Sequence, residues 1–430
     1  MLDEPTDPNG PTNSTDPIGA DNETIDTLTR RECVASAGAV IAGTLLTGCT
    51  GSGVDADSST PSDPAAVGTG TATETEAGTG AATEAGAAPS YSVTMAPMGT
   101  VEFDKPPETW LAFLSTYGDM GIALGQADGL RGLWDPESMP TAFYDALPDV
   151  EVSLEDVTSI AGGGEFDAEV FYELDCDLHL IDPNWLGVLN DDWNADDAAG
   201  ITDDVGPFLG NYIRRHGDQW HDYRYYSLYE AFEIVANAFN ERERYEAFAA
   251  IHDEAQRTID VGIPPAAERP TVGLVSVNSD FEGGSFYVYP VQEGNNHKQY
   301  RDLGMRGAFD DHLEGSYGEW DYEQLLAVDP DAIVFQYGFS HVSATAFEDR
   351  MDRMRQDPVG SQLSAVRNDR LYRGGGSYQG PIVNLFQTEA AARQFYPDAF
   401  GDWNGIDTLR EESLTLFNRQ QVADVINGAI

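Results

Sequence analysis

The sequence predicts an α/β protein of two similar lobes joined by a single long helix, on three observations. A chain of 430 residues has room for two domains. One pattern occurs twice in the same register, in Phe166–Ile181 (FDAEVFYELDCDLHLI) and in Trp320–Phe335 (WDYEQLLAVDPDAIVF). Between the copies lies Glu241–Asp260 (ERERYEAFAAIHDEAQRTID), whose apolar or small Tyr245, Phe248, Ala249, Ile251, Ala255 and Ile259 recur near the helical period. Such a helix is about 30 Å long, the width of a small domain.

In chain order, residues 1–48 read as an address. Thr29-Arg30-Arg31-Glu32-Cys33-Val34 precedes an uncharged run, Val34–Gly48, too short to span a bilayer and ending in Leu46-Thr47-Gly48-Cys49. This resembles a twin-arginine export signal followed by a lipoprotein cleavage box, with Cys49 as the lipidated first residue of the mature chain. The alternative is a short amphipathic surface anchor. Residues 49–90 use almost only Gly, Ser, Thr, Ala, Val, Pro, Asp and Glu. Lacking material for a core, they read as a disordered tether reaching roughly 35 Å. With Cys33 removed and Cys49 lipidated, Cys176 is left alone, so no intrachain disulfide is expected.

The first lobe is assigned to residues 91–226. Trp110–Ser115 (WLAFLS) reads as a buried strand running through Thr116-Tyr117-Gly118 into Asp119, taken as the N-cap of a helix from Met120, and Leu130–Leu133 reads as a second strand. The linking region, 227–265, holds a helix over Ser227–Phe239 closed by Asn240 and then the long helix, stopped by Gly262, Pro264 and Pro265. The second lobe, 266–400, contains Thr271–Val277 (TVGLVSV) as a strand and Pro381 as a helix opener. In each repeated segment the first Asp caps a short helix, a tight turn follows, and a buried strand ends the unit. The tail, 401–430, carries a short helix over Asn418–Asn427.

Composition excludes one class outright. Asp and Glu total 74 against 23 basic residues, a net charge of −51, and lysine occurs only at Lys105 and Lys298. No nucleic-acid partner is expected. Hydrophobic content of 41% and aromatic content of 10% rule out disorder over most of the chain. Carboxylate-rich, lysine-poor composition resembles that of proteins from extreme halophiles, which implies a fold that loosens in dilute buffer.

Order and spacing of several segments resemble the periplasmic-binding-protein family that delivers iron–siderophore complexes and cobalamin to ABC importers. The segments are Leu111–Gly125, the repeated units, and Asp357-Pro358-Val359-Gly360 leading through Leu363, Ala365, Val366 and Asn368 to Arg370-Leu371-Tyr372. The resemblance spans about Val101 to Phe400. It implies two Rossmann-like lobes with the ligand cleft between them, no catalysis, no resident cofactor, a monomer tethered by its lipid, and an iron–siderophore, cobalamin or haem-type ligand. It further implies that a surface glutamate on each lobe docks on an arginine of the permease; Glu169 and Glu323 hold the matching places. The alternative is that each carboxylate merely complements a helix N-terminus.

Ligands of open α/β sheets sit beyond the carboxyl ends of the strands. That geometry nominates Tyr117, Asp119, Trp134 and Trp185 before the long helix, and Tyr287, Tyr337 and Tyr378 after it. Aromatic side chains suit a bulky, flat ligand. The segment Asn295–Arg306 adds His297, Lys298, Arg301 and Arg306 to a chain poor in cations, which suits an anionic ligand, or else salt bridges to the acidic surface. Neither G-x-G-x-x-G nor a P-loop is present, no G-x-S-x-G occurs, and the seven histidines show no paired spacing. Direct capture of a metal ion, with His221, His297 and His341 contributing, and a lipid-anchored adhesive role remain as the other readings.

Overall fold

In the computed structural model, residues 90–430 are described apart from 163–164, 407–408 and 410–414. The predicted export signal, Cys49 and the tether lie outside the described residues. Strands β1 (Tyr91–Met95) and β2 (Gly99–Phe103) form an antiparallel hairpin, with Tyr91 stacked on Phe103 at 5.4 Å. The first sheet follows: β3 (Trp110–Ala112), α1 (Ser115–Ala123), β4 (Leu130–Leu133), β5 (Thr158–Ser159), a small hairpin of β6 (Ala161–Gly162) and β7 (Glu165–Phe166), α2 (Glu169–Leu174) and β8 (Leu178–Leu180). Its order is β5-β4-β3-β8, parallel throughout. Trp110, Leu111, Ala112, Leu178 and Leu180 are all fully buried, as a sheet covered on both faces requires.

Helices α3 (Pro183–Leu189) and α4 (Ala195–Asp204) complete this lobe, and α5 (Leu228–Ala238) opens with a capping box between Ser227 and Glu230. Asn240, at φ 57°, turns the chain in the left-handed conformation into α6 (Arg242–Gly262). Phe248, Ile251, Ala255 and Ile259 form the buried stripe of α6, the periodicity read from the sequence.

The second sheet is mixed. Its elements are β9 (Thr271–Ser276), β10 (Ser285–Tyr289), α7 (Lys298–Asp302), β11 (Arg306–Gly307), β12 (Gly318–Asp321), α8 (Tyr322–Val328), β13 (Ala332–Gln336), α9 (Ala344–Gln356), α10 (Ser364–Arg367) and β14 (Leu371–Arg373). The order is β12-β10-β9-β13-β14 with β11 beside β9, and β10 runs antiparallel to its neighbours. Helices α11 (Pro381–Phe395), α12 (Pro397–Phe400) and α13 (Arg419–Ile426) close the chain.

Matching sequence has become matching geometry. Helices α2 and α8 both end on a left-handed aspartate, Asp175 at φ 44° and Asp329 at φ 50°. Two residues on, Asp177 Oδ2 accepts from the backbone N–H (3.0 Å) and hydroxyl (3.1 Å) of Thr109, while Asp331 Oδ2 accepts from the N–H and hydroxyl of Thr271, both at 2.8 Å. Each carboxylate therefore pins the chain entering the neighbouring strand. The expected aspartate cap holds in one copy and needs correction in the other: Asp321 forms a capping box with Gln324, whereas the N-cap of α2 is Ala168, which has no side-chain oxygen, and Asp167 one residue earlier accepts from Glu169 N–H.

One further expectation needs correction. The first strand stops at Ala112 and α1 begins at Ser115, so Asp119 lies inside the helix and does not cap it. Gly118, placed ahead of the helix, and Gly121 are close-packing positions within it: a Cβ there would come within 2.9 Å of Leu133 and 2.3 Å of Trp110, respectively. The returning tail braces α6, the helix that joins the lobes. The tail returns to the linking helix and the first lobe, with Arg244 donating to the carbonyls of Leu124 and Ile426 (both 2.8 Å) and Asn427 to that of Asp149.

Candidate ligand cleft and docking glutamates

Between α4 and α5 the chain runs without helix over a stretch (NYIRRHGDQWHDYRYY, residues 211–226) rich in aromatic and cationic side chains. An ordered segment of this length is commonly functional. Its geometry is fixed from below. Tyr117 donates its hydroxyl to Asn211 O (2.8 Å) and accepts from Asn211 N (2.9 Å), and Asn211 Nδ2 donates to the carbonyls of Ala96 and Arg224. Asp182, the N-cap of α3, accepts from Tyr212 N and from the Tyr223 hydroxyl. Burial raises the Asp182 carboxyl to about 6 against these hydrogen bonds.

At the centre stands Arg214, buried, its guanidinium 3.4 Å from the Tyr212 hydroxyl, 3.3 Å from the Tyr337 hydroxyl and 4.7 Å above the ring of Tyr378. Tyr337 follows β13 and Tyr378 follows β14, so the cation of one lobe meets phenols carried by the other. Tyr337 holds a left-handed backbone, φ 63°, an uncommon conformation for a bulky residue. A hydrogen-bonded chain continues from its hydroxyl to Ser377 Oγ (3.1 Å), Gln336 Oε1 (3.3 Å) and His297 Nε2 (3.2 Å). Burial drives His297 down to about 3, so its ring is neutral. On the other side Trp185 stacks on Tyr212 at 4.4 Å, with Trp220 5.3 Å from Tyr212. The lobes are in direct contact here: Asn295 N donates to Ile213 O and Asn296 N to Arg214 O, both at 2.8 Å. Gly294, at φ 103°, makes this approach possible, since a Cβ would lie 2.5 Å from Arg214 O.

The predicted residues divide accordingly. Trp185, His297, Tyr337 and Tyr378 converge on the Arg214 cluster. Tyr117 does not reach it, because its hydroxyl is committed to Asn211. Asp119 is fully buried with both oxygens in use: Oδ1 accepts from Tyr144 (2.7 Å), and Oδ2 from the N–H groups of Ile382 and Val383 at the start of α11. Trp134 is buried against Phe113 at 4.3 Å, and Tyr287 lies within β10, 6.2 Å from Tyr317. Lys298 is paired with Asp302 at 2.6 Å, Arg306 donates to Arg269 O, and Arg301 donates to the carbonyls of Gln292 and Gly294, bracing the loop that meets Arg214. Lys298 thus forms the salt bridge given as the alternative, while Arg301 and Arg306 donate to backbone carbonyls. Sequence reasoning passed over Arg214, Tyr212 and Trp220. An adjacent Arg pair amid five aromatic side chains, in a chain with so few cations, was the available signal.

Among the described residues no group of three or more His, Cys, Asp or Glu side chains is placed to hold a metal. Nor does any described helix have the length and apolarity to cross a membrane. Cys176 is buried, which pushes its thiol up to about 12.

Glu169 and Glu323 are exposed in the first turns of α2 and α8. Because α2 leads into β8 and α8 into β13, each helix runs back along its sheet. Both N-termini then sit at the carboxyl edges of the strands, the side on which the ligand loops gather.

Comparison with known proteins follows this architecture. A family model described as periplasmic binding protein matches residues 116–378. No curated protein matches the chain in sequence. Solved structures of similar fold include a periplasmic binding protein from Veillonella parvula (16% identity, 71% of this chain and 97% of that one, TM-score 0.52). Others are Ceue from Helicobacter pylori with Ni(II) bound (12%, 77% and 98%, TM-score 0.51) and the iron uptake ABC transporter substrate-binding protein PiuA from Streptococcus pneumoniae (15%, 71% and 99%, TM-score 0.50). At these identities the likeness speaks for fold.

Proposed function

Because the chain belongs to the periplasmic binding protein family, we propose that it captures an iron–siderophore complex, or the related haem or cobalamin, outside the cytoplasm and hands it to an ABC importer. The observation that carries the ligand class is Arg214, a buried guanidinium set among Tyr212, Tyr337 and Tyr378 where the lobes meet. A desolvated cation framed by phenols favours an anionic, aromatic-rich guest: the guanidinium supplies charge-assisted hydrogen bonds and the rings supply contact area. Ferric siderophore complexes with acidic or catecholate arms have both properties, and haem shares them through its carboxylates. Cobalamin suits the site less well. Glu169 and Glu323 are the permease contacts of this reading, and the segment ending at Cys49 is its lipid anchor. The acidic surface belongs to a protein working at molar salt.

Intrinsic fluorescence titration tests the proposal. Trp185 and Trp220 border the cluster, so a coloured ferric catecholate, ferric hydroxamate or haem that binds there quenches emission. Arg214→Gln should weaken the quenching ligand about tenfold to a hundredfold, the worth of a charge-assisted hydrogen bond of roughly 1.5–3 kcal/mol. Failure of ferric siderophores, haem and cobalamin alike to quench the wild-type protein would refute the reading and favour an adhesive role.

A further inference from the structure

Arg214, Tyr212, Tyr337 and Trp185 are each 4% exposed or less. Nothing of cargo size reaches the guanidinium unless the seam between the lobes parts. The two sides of that seam are built differently. On one side the contact is apolar and complete. Phe143 of the first lobe is fully buried, stacked on Phe386 of α11 at 5.2 Å and edge-on to Phe339, which follows β13, at 6.0 Å. Beside it both oxygens of Asp119 are occupied, and Ser115 Oγ at the head of α1 donates to Tyr378 O at 3.1 Å.

On the other side the contact is polar and incomplete. The backbone bonds from Asn295 and Asn296 to the carbonyls of Ile213 and Arg214 carry it. His216 Nδ1 lies 3.3 Å from Glu293 across the same edge, with Glu293 largely in solvent, and such a pair adds little. Closing this side strands polar groups. Asn295 Oδ1 and Asn296 Oδ1 are buried without a hydrogen-bond partner, as are the indole N–H groups of Trp185 and Trp220. Buried polar groups normally find partners, and leaving one unpaired costs free energy, which water entering at Asn295 and Asn296 would return. We propose that the seam opens on this side alone: Asn295 with Ile213 and Asn296 with Arg214 form a gate by which cargo enters, and the Phe143 side stays shut as its hinge. Parting two backbone hydrogen bonds leaves α6 and the apolar contact in place, so the lobe angle changes little. The proposal rests on the reading of Arg214 as the cargo site.

Hydrogen exchange of the full chain in molar KCl tests the one-sidedness without any cargo. Corrected for intrinsic rates, the amides of Asn295 and Asn296 should exchange about a hundredfold faster than those of Ile382 and Val383, which meet Asp119 on the hinge side. Equal protection on the two sides would overturn the proposal. Stopped-flow quenching by a ferric catecholate, a ferric hydroxamate or haem, whichever quenches in the titration, tests the entry. Gly294→Ala sets a Cβ 2.5 Å from Arg214 O and should speed association about tenfold by populating the open gate. Phe339→Leu loosens the hinge side and should change the rate by less than about twofold. An association rate unchanged in Gly294→Ala while its Asn296 amide exchanges faster, or equal gains in both variants, would overturn the gate as the entry. If ferric siderophores, haem and cobalamin all leave the wild type unquenched, the cargo reading falls, and the exchange ratio alone decides whether the seam opens on one side.

Discussion

A carboxylate with no cation beside it is hard to bury, yet Asp119 is fully enclosed. Its supports are two N–H groups at the N-terminus of α11 and the Tyr144 hydroxyl, and Gly380 leaves it room, since a Cβ there would come within 2.5 Å of Oδ2. These contacts do not offset desolvation, which raises the group from 3.8 to about 7. Between those pH values the folded state holds a proton that the unfolded chain has released. The stability linked to this group is therefore fully present below pH 3.8 and is lost as the pH rises through 7. Asp119→Asn keeps an acceptor for Ile382 and Val383 and does not titrate. Relative to wild type it should gain stability as the pH rises from about 4 to about 7, by up to about 1.4 kcal/mol per pH unit, and the gain should level off above that. Thermal melts of both proteins at constant molar KCl measure this, and parallel pH profiles would refute it. Position along the chain nominated Asp119 for the cleft; the N–H groups it accepts from lie more than two hundred residues away, beyond what local pattern shows.

At the scale of elements, the repeated unit was legible because its determinants are local. Each copy needs only a short helix, a left-handed aspartate and a strand, and α6 needs only its stripe of Phe248, Ile251, Ala255 and Ile259. What Asp177 and Asp331 do was not legible, since each reaches a threonine some sixty residues distant. Burial opposes their charge, but the hydrogen bonds from Thr109 and Thr271 hold both below the usual carboxylate range. Asp331→Ala removes the acceptor of the Thr271 N–H and hydroxyl at an exposed site and should destabilise the fold by about 0.5–1.5 kcal/mol, and Asp177→Ala should match or exceed it. Guanidinium chloride unfolding distinguishes this from a surface substitution, which would change stability by under about 0.5 kcal/mol. The tail makes a harsher test. Glu389 of α11 is buried between Arg393 (3.0 Å) and Arg419 (2.8 Å), the second belonging to α13. Glu389→Gln removes a buried charge from two guanidinium groups and should cost about 3–5 kcal/mol, detaching α13 first. Protection of the α13 amides from hydrogen exchange reads that order. The cleft was half legible: loops after strands pointed to Tyr337 and Tyr378, while Arg214 sits in a segment following no predicted strand.

For the whole molecule, the charge balance sets the conditions under which any of this holds. A net charge of −51 repels itself, and the exposed ion pairs of Arg242 with Glu233 and Glu246, or of Arg355 with Asp352 and Asp369, contribute little each. Against that repulsion stands an apolar core that runs without a break from Trp110 and Leu180 of the first sheet through Phe386 to Leu274 and Val334 of the second. The contact at the cleft is polar instead: backbone hydrogen bonds from Asn295 and Asn296, the Arg214 cluster, and the Asp119 cap between α1 and α11. Salt should therefore act on this cleft contact before it acts on the apolar core. On dilution from molar KCl, where the Debye length is about 3 Å, to 10 mM, where it is about 30 Å, the radius of gyration should grow while the helical circular dichroism signal persists. Unfolding should follow only on further heating. A ligand bound at Arg214 adds contacts across the same seam, so it should restore the compact form in dilute buffer with only a slight change at high salt. Small-angle scattering along a KCl series, with and without the quenching ligand, follows both effects. Loss of helix in step with the first expansion would show that the lobes are no more robust than their contact, and a large ligand-driven compaction at molar salt would show that α6 and the returning tail do not restrain the lobe angle.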